Sequence, residues 1–469
     1  MGWRNKNKKA SHWRKIDDLG GVECRLCPRQ CKTKPGQDGF CKVRGNLNGR
    51  LFTYNYGRSV ACAMESIETE AVYHYRPSAR ILSMGNVGCM LACDFCQNWE
   101  TSIVEHLDVM NVQSYTPEEV FRLAKFNEID IISWTYNDPV VWHEFVLETS
   151  RLARAEGIKT LYKSALYINR APLEELIEEI DIFSISLKSM SADFYRRFTK
   201  GRLGPILDAI KLIHKSNRHL EISQLLVPGL NDQIKDIERT IDWVLDNLGP
   251  GVPLHFVRFH PDYKYLHVPR TSEEILLLAQ ELALEKGIRH CYIGNLFKEG
   301  VSNTTCKTCG STLVKRLGLA VEVKGITDNG RCMSCGEPVP IVEPLHEINK
   351  EKMRNTRVKG TYHQEIKWTP DMSNIHVILL SSNSKRIGLK VIHDPISKVQ
   401  YFKLGRGLNR LNVSRLEQTE TGVQVLWDSD SAIKVLPVLD RAYYPVLYHN
   451  NNEFTDRLNP AAVEMKRTG

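Results

Sequence analysis

No apolar run in the 469-residue sequence approaches the roughly 18 residues needed to cross a bilayer. The first stretch, "MGWRNKNKKASHWRK", is basic and lacks the apolar core of a secretory signal. Both absences lead to the expectation of a cytoplasmic protein with no membrane partner. Low-complexity tracts and long internal repeats are also missing, which removes disordered and repeat architectures from consideration. What remains is ordinary globular composition, 42% apolar and 25% charged, with enough length for two to four domains.

The net charge is +8, part of it in the N-terminal arm. A basic arm with two tryptophans could touch nucleic acid or an acidic protein. The plainer reading is a solvated tail that docks its tryptophans, and nucleic acid is not the expected partner. Thirteen cysteines are many for a reducing compartment. They fall into groups: Cys24, Cys27, Cys31 and Cys41; Cys89, Cys93 and Cys96; Cys306, Cys309, Cys332 and Cys335. Only Cys62 and Cys291 stand alone. Grouping of this kind points to metal rather than disulfides.

Between about Arg80 and Gly294, short strand-like runs alternate with amphipathic stretches. The runs are "RILSMGN", "DIISWTY", "IKTLYKS", "DIFSISLK", "HLEISQLLVPG" and "PLHFVRFHP". Thr116 opens "TPEEVFRLAKFN" as an N-cap, with proline at the first helical position and acids in the first turn. Six strand–helix units predict a parallel α/β barrel, complete or partial. The cysteine loop, "TYNDP", Lys188, "QLLVPGLND" and "RFHP" all follow strand ends. That is the face where such barrels carry their active sites. Beyond Glu343, period-2 segments such as "HVILLSS" and "GVQVLWD" predict an antiparallel β domain. The predicted domains are 1–75, 76–297, 298–342 and 343–469.

"GNVGCMLACDFCQNWE" spaces its cysteines C-x3-C-x2-C. A [4Fe-4S] cube normally takes four thiolates, so three leave one iron open to a substrate or cofactor. Gly85 and Gly88 let the loop wrap the cube. The plain alternative is a zinc site or three buried thiols. "TCKTCGS" and "GRCMSCGE" form paired knuckles for one tetrahedral zinc or iron. "CRLCPRQCKTKPGQDGFC" can close four sulfurs around mononuclear iron or zinc, or around an auxiliary iron–sulfur cluster.

The triad resembles the signature of the radical SAM family, whose fold is a partial (β/α)6 barrel. The resemblance implies a [4Fe-4S] cluster whose open iron chelates S-adenosylmethionine (SAM). It also implies SAM contacts at Asn137 and Asp138 of "TYNDP", at Lys188, and at Gln224 and Val227. Ser186 stands where the family's fourth strand carries an acid before the lysine. "CRLCPRQC", "GFCKVR", "CDFCQNW", "LLVPGLND", "RFHPDY" and "YIGN" resemble the AmmeMemoRadiSam proteins, relatives of the glycyl-radical activases. With the added β domain, the chain is similar to the methanogenesis marker radical SAM family. That resemblance implies a cobalamin-dependent methyltransferase that makes 5-C-methylarginine on the alpha subunit of methyl-coenzyme M reductase. It implies two SAM molecules per turnover and a low-potential electron donor. A radical SAM activase without cobalamin is the alternative.

The cobalamin motif D-x-H-x-x-G is absent, so the resemblance places cobalamin at the barrel mouth and the β domain. Tyr115 lies shortly after the cluster loop, and a phenolate can ligate iron. It is a candidate cap for the open iron, against the simpler role of a packed residue before the Thr116 cap. A substrate guanidinium wants a carboxylate fork or an aromatic face. Asp138, Glu144, Asp262 and Tyr263 are the candidates near strand ends.

Overall fold

The computed structural model describes residues 3–5 and 7–344, together with seven strands between Tyr362 and Leu436. The chain divides into two compact units, the first of which carries everything up to 344. Among the described residues, no helix is long and apolar enough to cross a membrane.

The first unit is built on one nine-stranded sheet. Its named strands are β1 (Arg58–Ser66), β2 (Arg80–Asn86), β3 (Ile131–Thr135), β4 (Lys159–Ser164), β5 (Ile182–Leu187), β6 (His219–Leu226), β7 (Leu254–Arg258) and β8 (Cys291–Gly294). From β2 to β8 every neighbouring pair is parallel. β1 runs antiparallel to β2, and the two-residue strand Gln113–Ser114 pairs with β1 at the edge. Six helices join the parallel strands: α1 (Pro117–Phe126), α2 (His143–Ala155), α3 (Arg170–Glu179), α4 (Leu203–Lys215), α5 (Ile234–Leu248) and α6 (Glu273–Glu285). The six expected strand–helix units are present, β2–α1 through β7–α6, and β8 extends the parallel set to seven, with β1 antiparallel at its other edge. The four-residue strand Cys291–Gly294 is too short to announce itself by periodicity, and the pairing of β1 depends on a non-local partner.

Local signals explain the helix ends. Thr116 Oγ1 accepts from Glu119 N at 3.2 Å and Glu119 Oε2 from Thr116 N at 2.8 Å, which is a capping box. Ser272 Oγ caps α6 by accepting from Ile275 N. Strand alternation separates two faces. Ile132, Trp134, Tyr162, Phe183, Ile185, Ile222 and Phe256 are buried in the main apolar core. Ser133, Thr135, Lys163, Ser184 and Ser223 form a polar network on the other face. Lys163 Nζ donates to Ser184 Oγ, Ser223 Oγ and the Glu70 carbonyl, and burial lowers its pKa to about 8.

The N-terminal segment packs on this unit. Trp3 is buried, Arg4 pairs with Asp38 at 2.9 Å, and Arg14 with Glu23. The basic arm therefore spends charge on internal acids. The knuckle segment forms a three-stranded antiparallel sheet of Thr304–Thr305, Thr312–Leu317 and Ala320–Val323. Its buried Arg316 donates to Thr304 Oγ1 and to the Tyr73 carbonyl.

In the second unit, Tyr362–Lys367, Glu420–Trp427, Lys385–His393 and Lys398–Leu404 form one antiparallel sheet in that spatial order. Asn374–Ser381 lies between Gly407–Ser414 and Ile433–Leu436 in another. The remaining residues from 345 onward, and all side chains of those strands, lie outside the described set, and so does the β-domain part of the expected cobalamin seat.

Candidate active site

The loop after β2 carries Cys89, Cys93 and Cys96. Gly88 makes its first turn at φ +85°, against Val43 and the Cys41 carbonyl. Ala92 N and Asp94 N donate to the Thr199 and Phe198 carbonyls, and Arg29 Nε donates to the Met90 carbonyl at 2.6 Å. Phe95 is buried, with its ring 5.7 Å from Phe194 and 6.1 Å from Tyr265. Burial raises all three thiols, Cys93 to about 12, while Lys188 draws Cys93 and Cys96 back down. Three crowded thiols in a desolvated loop suit an iron–sulfur group, which would hold them as thiolates.

Asp138 and Lys188 lie close enough to the triad to shift its thiols. Asp138 is a buried acid that accepts from Ser164 Oγ and Ala165 N at 2.8 Å and from Val140 N at 3.2 Å. Burial raises its pKa and those three donors oppose the rise. It is a helix-entry cap as well as a neighbour of the cluster loop. Asn137 accepts from Thr101 Oγ1 and Ser102 Oγ and donates to the Asn86 carbonyl. It ties the cluster loop to the end of β3.

Gln224 is fully buried, and neither amide atom has a hydrogen-bond partner. It alternates with Ser223, so it occupies the face opposite Lys163. Val227 N donates to Asn231 Oδ1 at 2.6 Å, and Asn231 Nδ2 reaches the Lys188 and Leu225 carbonyls. Asn231 thereby fixes the ends of β5 and β6 to each other. The Tyr115 phenol bonds the Cys62 thiol, and ligating an open iron would require exchanging that bond.

Sequence reasoning names Asp262 and Tyr263 but misses Trp99 and Glu100, which complete an aromatic and acidic rim with them. Trp99 stacks on Tyr263 at 5.1 Å and 16°, and its indole N–H donates to Asp262 Oδ1 at 3.1 Å. Glu100 adjoins Trp99 in sequence. Burial, with Asp262 second, raises its pKa to about 7. Asp262 is itself raised by burial, and it acts on Cys96. The sequence hint for Trp99 and Glu100 is "NWE" directly after the last cysteine.

The outer cysteines differ in geometry. Sγ atoms of Cys306, Cys309, Cys332 and Cys335 all lie within 4.8 Å of one another, with 3.6 Å for Cys306–Cys335 and for Cys309–Cys332. A tetrahedron with metal–sulfur bonds of ~2.3 Å has edges of ~3.8 Å, so this set fits one ion. Cys24, Cys27, Cys31 and Cys41 line one enclosed cavity with Arg29, Arg44 and Met90.

The radical SAM superfamily model matches residues 85–244, the span from the cluster loop into α5. An uncharacterised protein of Methanocaldococcus jannaschii is 38% identical over 336 residues, covering 71% of this chain and 99% of its own length. This chain belongs to the radical SAM superfamily. The (2S)-3-sulfopropanediol dehydratase activating enzyme of Klebsiella oxytoca is 25% identical across 34% of this chain and 54% of its own. The 4-hydroxyphenylacetate decarboxylase activating enzyme of Clostridium scatologenes is 24% identical across 44% and 72%. Among solved structures, a radical SAM methyltransferase from Sphaerobacter thermophilus aligns with a TM-score of 0.37 and 15% identity, covering 46% of this chain and 66% of its own. Membership of the superfamily implies a [4Fe-4S] cluster with SAM as its partner, and Cys89, Cys93 and Cys96 are the candidate ligands. The three thiols, half-buried on the loop after β2, fit that group.

Proposed function

We propose that the protein is a cobalamin-dependent radical SAM methyltransferase that places a methyl group on the δ-carbon of a peptidyl arginine. The alpha subunit of methyl-coenzyme M reductase is the proposed substrate, with a low-potential electron donor as second partner. When bound, the cluster with SAM supplies a hydrogen-abstracting radical and cobalamin supplies the methyl group. The resemblance of the whole chain supports the cobalamin part.

The observation that carries the substrate class is the rim beside Cys96. Of the acids near strand ends, Glu144 is taken by Arg44 at 2.9 and 3.0 Å, and Asp138 by three donors. Asp262 and Glu100 remain, next to the stacked rings of Trp99 and Tyr263. A carboxylate pair beside an aromatic face is what a guanidinium binds. In this reading those residues orient the arginine, Asn137 and Asp138 set the loop, and Lys188 faces the cluster thiolates as a fixed positive charge.

The test is anaerobic turnover of the full chain with SAM, cobalamin, reductant and a peptide carrying the arginine, followed by mass spectrometry. One added methyl group, dependent on cobalamin, supports the reading. 5′-Deoxyadenosine formed at an equal rate without cobalamin, and no methylated peptide, would sink it. The similarity to activating enzymes favours a second reading, an activase for a glycyl-radical enzyme. That reading would give a glycyl radical signal on the partner protein and no bound cobalt.

A further inference from the structure

Away from the cluster, three polar side chains from distant parts of the chain converge on one point. His12 lies in the N-terminal arm, His143 opens α2, and Glu175 lies on α3. Nε2 of each imidazole is 3.2 Å from the same carboxylate oxygen, Glu175 Oε2, and the three ligand atoms all lie within 4.8 Å of one another. The two rings meet edge to face, with centroids 5.0 Å apart. His143 is fully buried and its Nδ1 has no partner, so the ring's polar engagement runs through Nε2. His12 holds φ at +52°, a left-handed backbone that non-glycine residues rarely adopt. Arg44, whose charge also reaches His12, is occupied by Glu144.

We propose that His12, His143 and Glu175 bind one divalent transition-metal ion, zinc by preference, with water completing its coordination on the exposed side of Glu175. Zinc takes nitrogen and carboxylate oxygen at ~2.0–2.1 Å, so a tetrahedral site has ligand-to-ligand edges of ~3.3–3.4 Å. The two 3.2 Å separations match such edges with little movement. Two imidazoles and one carboxylate with an open position form a recurrent set for first-row metals. The side chain of Glu175 is 44% exposed, which leaves room for water and an entry path. The ion would link the arm, a dozen residues before the first cysteine, to two helices of the main sheet.

The test uses the full-length holoprotein with its iron loaded and its knuckle filled with zinc. Co2+ is then titrated anaerobically, followed by desalting, metal analysis and visible spectroscopy. The expected result is one further equivalent of cobalt with the weak d–d bands of nitrogen and oxygen ligands. Glu175→Gln, at a half-exposed side chain, and His12→Gln, at one that is 14% exposed, should each lose that equivalent while keeping iron and knuckle zinc. Bound Co2+ should also slow protease cleavage of the arm in the wild type alone. Uptake of no extra cobalt by the wild type, equal uptake by E175Q, or a spectrum of sulfur ligation only would each overturn the proposal.

Discussion

Arg44→Met tests how the N-terminal segment is held. The Arg44 side chain is 2% exposed and the Glu144 side chain 7%, and Nη1 reaches both carboxylate oxygens at 2.9 and 3.0 Å. Arg44 Nη2 donates to the Ser11 carbonyl, and Ser11 N and Oγ donate back to Glu144. Burial alone would push Glu144 up, but Arg44, His143 and Ser11 outweigh it and hold the carboxyl at about 2, against an ordinary 4.5. By linkage that depression is worth about 3 kcal/mol at neutral pH. Removing one partner of a buried pair costs about 3–5 kcal/mol by a separate route, and the two figures agree. The sign follows from the depressed carboxyl. Its stabilisation is complete above about pH 4.5 and fades as pH falls towards about 2. In R44M burial is opposed only by His143 and the two Ser11 donors, so the Glu144 carboxyl rises and the stranded charge is relieved as pH falls. Native-state proteolysis of the arm, calibrated as an opening free energy, should show a gap of about 3 kcal/mol at about pH 7 that narrows by about pH 5. The double variant R44M/E144Q should recover part of the loss. A gap below about 1 kcal/mol at neutral pH, or one that stays constant with pH, refutes the reasoning.

Three further outcomes are expected. Cys309→Ala should remove one ion per chain, read by metal analysis, and leave cluster iron and SAM cleavage intact, because its four sulfurs form a separate tetrahedral set. Gly88→Ala should destabilise the cluster loop by about 2 kcal/mol in thermal or denaturant unfolding, since its φ is +85° and an added Cβ would lie 2.7 Å from Val43 Cγ1. The Glu100 carboxyl sits at about 7, so the second charge of the rim is complete only above that pH. KM for an arginine peptide should fall as pH rises through about 7, and Glu100→Gln should abolish that dependence without changing SAM cleavage in the absence of peptide.

What the sequence reveals about this protein is what chemistry fixes locally. Three thiols on one loop need no distant partner to be recognised, and neither does the Thr116–Glu119 capping box. The knuckle pair is legible for the same reason, since each half carries its own two ligands. The rim is legible only in part: Asp262 and Tyr263 stand near a strand end, but Trp99 lies 163 positions from Asp262 and meets it only through the order of the parallel strands. The polar network is hidden as well. Lys163 and Ser184 read as interruptions in apolar runs, and only alternation on a real sheet places them on one face with Glu70. Gln224 enters through the family resemblance, but which face it occupies depends on pleat register, which one sequence does not settle.

The four-cysteine segment at the N-terminus bears on the cluster loop directly, and this yields a last prediction. Asn55 Nδ2 donates to the Val87 carbonyl at 3.0 Å, Arg29 to the Met90 carbonyl, and Arg202 to the Pro28 carbonyl at 2.6 Å. Met90 lines the cavity of Cys24, Cys27, Cys31 and Cys41 while lying between the first two cluster cysteines. Burial raises Cys27 strongly and Cys41 to about 12, so these thiols are poor ligands until a metal displaces their protons to solvent. A metal held there would fix the backbone that Gly88 and Met90 rest on. Cys27→Ala should therefore cost more than its own metal. The central cluster, assembled without oxygen, should bleach faster in air than in the wild type, measured by loss of its visible absorption. Its SAM affinity should weaken by about tenfold, the effect of about 1.4 kcal/mol of lost loop order. Equal bleaching rates and equal SAM affinity would show that the outer site is an independent staple, with no hold on the loop that carries the chemistry.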